Sequence, residues 1–335
     1  MIQFGYKASS EQFAPRELLR YTQEAEAAGF DSVFFSDHLQ PWRHHGGHAP
    51  AALPWLGAAA ASTERITIGT GVLTPTLRYH PALIAQAFAT LGCLAPGRII
   101  LGVGTGESMN ETPLGIDWPA GKERRARLRE AVALIRQLWT EERVTFEGDF
   151  YQTQMATIYD LPEEQVPIYV AASGPIATRL AGEIGDGFIT TSGKGEELYT
   201  DRLLPALGEG AAKSARGPAE LDMVMEVKVS FDSDLDHARE VTKFWGALAL
   251  SPEEKVGVWD PVEMERLADA LPVERTVTRW IVSDDPQEHA EQIWKYVEMG
   301  FTHLVFHDPD PDQSRFISTY RDQVLPLLWE RAGRG

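Results

Sequence analysis

Three stretches of this chain share one rhythm: A-A-G-F-D-S-V-F-F from Ala27, I-G-D-G-F-I-T-T from Ile184 and M-G-F-T-H-L-V-F from Met299. Each leaves a helical pattern, turns through glycine and phenylalanine or a near variant, and enters a short apolar run. Recurrence of that unit from end to end means parallel strands joined by helices. The strand segments are Ile2–Tyr6, Ser32–Phe35, Ile66–Gly69, Ile99–Val103, Ile168–Ala171, Gly187–Thr190, Leu221–Phe231 and His303–His307. Helical patterns include Pro15–Ala28, Pro54–Ser62, Pro81–Leu94, Lys122–Leu138, Pro175–Ile184, Pro286–Met299 and Ser314–Arg331. Prolines open several of them and Gly29 stops the first. Eight such strands predict an α/β protein of the (β/α)8 TIM-barrel class, and 335 residues suit one barrel domain spanning 1–335. Insertions at about 39–53, 104–121, 140–166 and 245–275 make it irregular, the third hairpin-like about Gly148-Asp149.

In a barrel, the outer face of each strand meets helices and the inner face lines the axis. The seventh strand carries Met223, Met225, Val227, Val229 and Phe231 on one face and Glu226, Lys228 and Ser230 on the other. The apolar set belongs outside, so Glu226 and Lys228 point inward, either as an ion pair or as a site lining. A hydrophobic content of 43% supplies a large core, and a net charge of −18 argues against nucleic acid or an anionic membrane as partner. An anionic ligand then needs a local cluster of Lys and Arg. Cys93, the single cysteine, sits in an apolar helical run and is expected as a small core residue; it excludes an intramolecular disulfide. The start, M-I-Q-F-G-Y-K, has no signal-peptide pattern, and no apolar run is long enough to span a bilayer. The expectation is a cytoplasmic protein.

Barrel chemistry sits where strands end. Those positions gather Asp37 and His38, residues 70–76, Thr105 to Asn110, Ser173-Gly174 and Thr190 to Lys194. The stretch G-V-G-T-G-E-S-M-N-E after the fourth strand reads as a binding loop holding Glu107, or as a tight turn with a solvated carboxylate. It is G-x-G-x-G and not the dinucleotide fingerprint G-x-G-x-x-G. A histidine can change its charge near neutral pH and a carboxyl can be tuned toward it, so His38 and Glu107 form a candidate acid–base pair. Trp42 follows as a candidate cover for the pocket. Ser173-Gly174-Pro175 is a helix start with free amides for an anion, or simply a helix start. His44, His45 and His48 in W-R-H-H-G-G-H lack helical spacing and acidic or thiol neighbours, so no metal site is expected.

Together, these residues resemble the luciferase-like group of flavin and deazaflavin enzymes, and within it the F420-dependent glucose-6-phosphate dehydrogenases. The resemblance covers nearly the whole chain. Its most specific carriers are G-Y-K-A-S-S-E-Q-F-A-P-R-E-L, S-D-H-L-Q-P-W-R-H-H-G-G-H-A-P, V-L-T-P-T-L-R-Y-H-P-A, G-V-G-T-G-E-S-M-N-E and T-S-G-K-G-E-E-L-Y-T. It implies a homodimer of barrels holding coenzyme F420 and oxidising C1 of glucose 6-phosphate, or a close sugar 6-phosphate, to a lactone. An FMN-dependent monooxygenase on the same barrel, or an F420 enzyme acting on another hydroxylated substrate, stands as the alternative. By the resemblance, Asp37, Thr74, Thr105, Gly106, Asn110, Ser173, Gly174, Ile176 and Ala177 contact the deazaflavin, with a non-proline cis peptide at Gly71-Val72. His38 and Glu107 match the acid–base pair and Trp42 the active-site tryptophan. Thr191, Lys194, Lys255 and Arg279 match the sugar-phosphate contacts, and Lys228 joins them as a lining residue. Gly71, Ser173-Gly174 and Val256 depart from the usual Ser, Gly-Gly and His of the group.

Overall fold

Residues 1–334 are described by a computed structural model. Alternation along short strands organises the fold. β1 (Gln3–Ala8), β2 (Ser32–Phe35), β3 (Thr67–Thr70) and β4 (Ile99–Val103) precede an antiparallel hairpin, β5 (Val144–Glu147) and β6 (Gln152–Ala156). After it come β7 (Ile168–Ala171), β8 (Gly187–Thr191), β9 (Asp222–Phe231), β10 (Ile281–Ser283) and β11 (His303–His307). The ring runs β1-β2-β3-β4-β7-β8-β9-β11 and back to β1, all pairings parallel. The expected strand positions hold to within a residue or two, and the expected (β/α)8 barrel is what forms. Prolines at 15, 81, 175 and 286 open their helices, where the missing N–H costs nothing. Gly29 closes the first helix at φ 90°, a left-handed position that suits glycine.

The barrel axis is filled in two tiers. The lower holds Phe34, Ile100, Tyr169, Ile189, Val224 and Val305 as a separate apolar cluster. Glycines make room for it: a Cβ on Gly69 would stand 2.8 Å from the Phe34 ring. One step higher on the same inward faces come Lys7, Ser36, Gly71, Glu226, Lys228 and His307. Met223, Met225, Val227 and Val229 pack outward into the main core against the helices.

One expectation fails, and one strand was not foreseen. Cys93 is exposed, not a core residue. Its helix, Pro81–Leu94, is apolar nearly all round, so composition did not reveal which face is buried; Ile84, Phe88 and Leu91 are, while Leu83 and Leu94 stay 61% and 62% exposed. The short strand β10 was not foreseen. It pairs with the far half of β9, Ile281 opposite Val229, beyond the stretch that β11 covers. Three residues at the end of a polar insertion give no alternation long enough to read. The hairpin turn, in contrast, is held by one carboxylate: Glu130 accepts from the amides of Asp149, Phe150 and Tyr151 at 3.0, 2.8 and 2.6 Å.

Candidate active site

The strands' C-terminal ends bring His38 from the loop after β2 within reach of Glu107 from the loop after β4. His38 Nε2 lies 3.8 Å from a Glu107 oxygen and 3.3 Å from Glu11 Oε1, which enters from the loop after β1. His38 Nδ1 faces the Gln40 carbonyl at 3.2 Å. Asn110 Nδ2 lies 3.4 Å from the same nitrogen, so Nδ1 has both an acceptor and a donor beside it, while Nε2 faces the two carboxyls. Asn110 is buried and fixes this loop: its Oδ1 accepts from the Leu39 and Gln40 amides at 2.8 and 3.3 Å.

The two carboxyls around the imidazole differ. Glu107 remains 46% exposed, inside a crevice walled by protein. That crowding raises its pKa, opposed by His38, reinforced by Glu11 and opposed again by Lys255 and Arg78. Glu11 is buried, which works against its charge, yet His38 and Lys7 outweigh burial and hold its carboxyl below the usual range. One carboxyl thus keeps its proton more readily and the other stays charged.

Asp37 is committed to the protein. Its carboxylate accepts from Arg78 Nη2 at 2.6 Å, from the Ala52 amide at 3.2 Å and from the Tyr79 hydroxyl at 3.4 Å, and only 2% of its side chain is exposed. Arg78 also holds the buried Glu111 at 2.8 Å, tying the loop after β2 to the turn that carries Asn110. The Gly71–Val72 peptide is cis, and Lys7 Nζ donates to the Gly71 carbonyl at 2.7 Å and to Ser36 Oγ at 2.5 Å. Thr74 is buried against Gly106, whose φ of 82° turns the loop toward Thr105 and Glu107. Across the mouth, Gly174 caps the helix Pro175–Ile184, and a Cβ there would meet nothing within 4 Å. Ser173, Gly174, Ile176 and Ala177 all line this open helix start.

Cations gather opposite. Lys194 lies in the loop after β8, Lys228 inside β9, Lys255 in the long insertion and Arg279 just before β10. Burial first, and then the charges of Arg279, Lys228 and Lys255, bring Lys194 down to about 8. Lys255 is also lowered, by burial, with Glu107 opposing and Arg279 and Lys228 adding to it. Its Nζ sits 5.2 Å from the Trp42 ring centre, and that ring is 5.9 Å from His38. Arg279 Nη2 donates to the Ser192 carbonyl at 3.3 Å, while its buried Nε has no partner. The Thr191 carbonyl is taken by Tyr199. These four mutually repelling cations have one carboxylate within salt-bridge distance among the described residues, Glu226 at 3.0 Å from Lys228, with Glu107 and Glu254 acting on Lys255 from farther off.

Glu226 and Lys228 form the ion pair that was one of the two expectations for them. Glu226 also meets Lys7 at 3.7 Å and His307 Nδ1 at 3.3 Å, and despite burial these partners hold it well below the usual carboxylate range. Sequence reasoning missed Lys7, Glu11, Arg78 and His307. Lys7 and His307 are inward-facing polar residues on β1 and β11, readable by the parity test that found Glu226. His45 is committed to Glu265 at 2.9 Å.

A family profile described as luciferase-like monooxygenase matches residues 1–303. The chain belongs to this luciferase-like family. Among its relatives, a protein of Beutenbergia cavernae is 72% identical over 99% of this chain and 98% of its own length, and one of Nakamurella multipartita is 64% identical over 100% and 98%. Both are named F420-dependent glucose-6-phosphate dehydrogenase. Among solved structures, an F420-dependent secondary alcohol dehydrogenase in complex with an F420-acetone adduct superposes with a TM-score of 0.92 at 33% identity, covering 97% of this chain and 99% of that one. An F420-dependent tetrahydromethanopterin reductase from Methanopyrus kandleri, at 23% identity and TM-score 0.82, shares the luciferase-like barrel.

Proposed function

We propose that this protein oxidises C1 of glucose 6-phosphate to 6-phosphogluconolactone with coenzyme F420 as hydride acceptor. The observation that carries the reading is the convergence of His38 and Glu107 with Lys194, Lys228, Lys255 and Arg279 at one barrel mouth. The relatives' shared name supports it.

The residues present suit the coenzyme. The open Gly174 helix start offers the Ile176 and Ala177 amides, which meet no acceptor among the described residues, to an anionic group. The Gly104–Gly106 backbone, Thr74 and the 71–72 peptide form a wall of small groups for a flat ring. When bound, the coenzyme supplies a hydride acceptor at C5 of its deazaflavin ring. With it in place, His38 would take the C1 hydroxyl proton at Nε2, and the imidazolium so formed would face the Glu11 carboxylate. Glu107, whose pKa is raised, would hold a proton on the side facing the coenzyme. Trp42 walls the space between them. The cationic cluster takes the 6-phosphate and orients C1 toward His38.

The test is direct. Purified protein is mixed with coenzyme F420 and a panel of sugar phosphates while the oxidised cofactor's absorbance is followed. Bleaching with glucose 6-phosphate is expected. Its absence, or a yellow protein that turns over only with FMN and oxygen, overturns the reading in favour of a flavin monooxygenase. We also propose a homodimer, supported by exposed Leu83 and Leu94. A cytoplasmic protein acting as one domain over 1–335 completes the proposal, in keeping with the lack, among the described residues, of a helix long and apolar enough to cross a membrane.

A further inference from the structure

The loop after β2 is pinned on both sides of Trp42. Before it, Asn110 holds the Leu39 and Gln40 amides. After it, Arg43 and His45 are held by one helix of the long insertion, Pro261–Asp269. Arg43 donates to the two Asp269 oxygens at 2.9 and 3.0 Å and pairs with Glu265 Oε1 at 2.8 Å. The other Glu265 oxygen accepts from the His45 amide at 3.1 Å and meets His45 Nδ1 at 2.9 Å. Trp42 itself packs against a small apolar cluster that Ala247, Leu250, Met264 and Ala268 build inside the insertion. The helix register thus matches the loop: Met264 and Ala268 serve Trp42, and the residues following each, Glu265 and Asp269, grip Arg43.

The helix alone does not favour this arrangement. Glu265 and Asp269 share one face of it at i,i+4 spacing, where like charges repel. Asp269 is also its last residue, where the helix dipole disfavours a carboxylate. Burial works against the Glu265 charge as well, yet His45 and Arg43 hold its carboxyl below the usual range. One guanidinium from outside the insertion offsets all three penalties. The acidic pair therefore answers to Arg43 and not to the stability of its own helix.

We propose that Arg43, Glu265 and Asp269 form a clasp that positions Lys255 for the substrate's phosphate, an inference that rests on the function proposed above. Lys255 lies on a turn of the same insertion, and its Nζ stands 5.2 Å from the Trp42 ring centre. The clasp fixes the insertion against the Trp42 loop. It thereby fixes where the Lys255 charge stands relative to Lys194, Lys228 and Arg279. Arg43, Glu265 and Asp269 make no ion pair with His38 or Glu107 among the described residues. They are positioning residues, and their effect falls on phosphate binding before it reaches the chemical step.

The experiment measures steady-state kinetics with glucose 6-phosphate and F420 for the wild type, Arg43→Gln and Glu265→Gln, each also combined with Lys255→Met. In Arg43→Gln the KM for glucose 6-phosphate is expected to rise roughly five-fold, the scale of one charge contact set loose, with kcat little changed. F420 affinity, read by fluorescence, is expected to stay put and shows that the variant folds. Glu265→Gln should move in the same direction, and carries the test if Arg43→Gln does not fold. Arg43→Lys, which keeps the charge but not the planar fork, should recover part of the loss. The decisive comparison is the Lys255→Met background. There Arg43→Gln is expected to add nothing to KM, because the charge that the clasp places is gone. An equal rise in both backgrounds marks a merely structural role and overturns the inference. So does an unchanged KM in both single variants, or a loss of F420 affinity that matches the rise. Each of these outcomes spares the proposed function, since the wild type still turns over. A wild type that bleaches F420 with no sugar phosphate overturns both.

Discussion

At the scale of single residues, the imidazole of His38 sits between two carboxyls of opposite tendency. Glu11 is kept charged by Lys7 and His38, and Glu107 is pushed toward its protonated form by crowding. Replacing His38 with alanine is expected to lower kcat by roughly 10²–10⁴-fold, the range for a lost acid–base group; steady-state rates within threefold of wild type would remove it from that role. Lys194 gives a pH dependence. Its ammonium titrates near 8, depressed by burial and then by Arg279, Lys228 and Lys255. Above that pH the folded protein loses a positive charge at the site, so KM for the sugar phosphate should climb as pH rises past about 8 while KM for the cofactor holds. A KM flat across that range would mean that Lys194 takes no phosphate. Most of these residues were legible because strand ends are where barrel chemistry collects. Glu11 was equally placed, yet a lone carboxylate after β1 has no partner in sequence to mark it. Asp37 was legible as a site residue, but its carboxylate is consumed by Arg78, a pairing of residues 41 positions apart that no local pattern shows.

At the scale of elements, Arg78 is the tie between two loops. Its guanidinium bridges buried Asp37 and Glu111 and so positions Asn110 under the His38 loop. Arg78→Ala strands both carboxylates, a change expected to cost about 3–5 kcal/mol. Burial raises the Glu111 pKa, Arg78 opposes it and the Asp37 charge adds to it, so without the arginine the carboxyl rises further. Protonation then relieves the stranded charge, and the loss should shrink as pH falls. Urea denaturation across acidic pH checks both statements, and a loss independent of pH would argue against stranded charge as its cause. Elements were readable where periodicity was strong, as in the helix Pro175–Ile184 and strand β11. They were not where an apolar helix has no polar face, which misplaced Cys93, or where a strand is only three residues long, which hid β10.

At the scale of the whole molecule, an acidic protein concentrates positive charge at one mouth. Repulsion among Lys194, Lys228, Lys255 and Arg279, which Glu226 and Glu107 offset in part, is relieved further by an arriving anion, so discrimination should follow charge more than sugar shape. Free glucose is expected to show kcat/KM lower than glucose 6-phosphate by roughly 10²-fold or more, the equivalent of about two charge-assisted contacts. Comparable values would sink the phosphate assignment. Sedimentation velocity checks the proposed dimer, where a single monomer peak at micromolar concentration would refute it. The closed ring was legible from its repeating units, whereas the meeting of Lys255 with Trp42 was not, because the insertion that brings them together has no repeat to follow.

β10 is laced onto the upper half of β9, outside the ring, and Arg279 stands immediately before it. Lys194 and Lys228 stand on β8 and β9 themselves or directly after. Three of the four charges thus share one stiff frame, and Lys255 alone arrives on an arm. In the proposed function the substrate's anionic end rests against that frame, and Lys255, beside Trp42, supplies the one charge that comes from the long insertion.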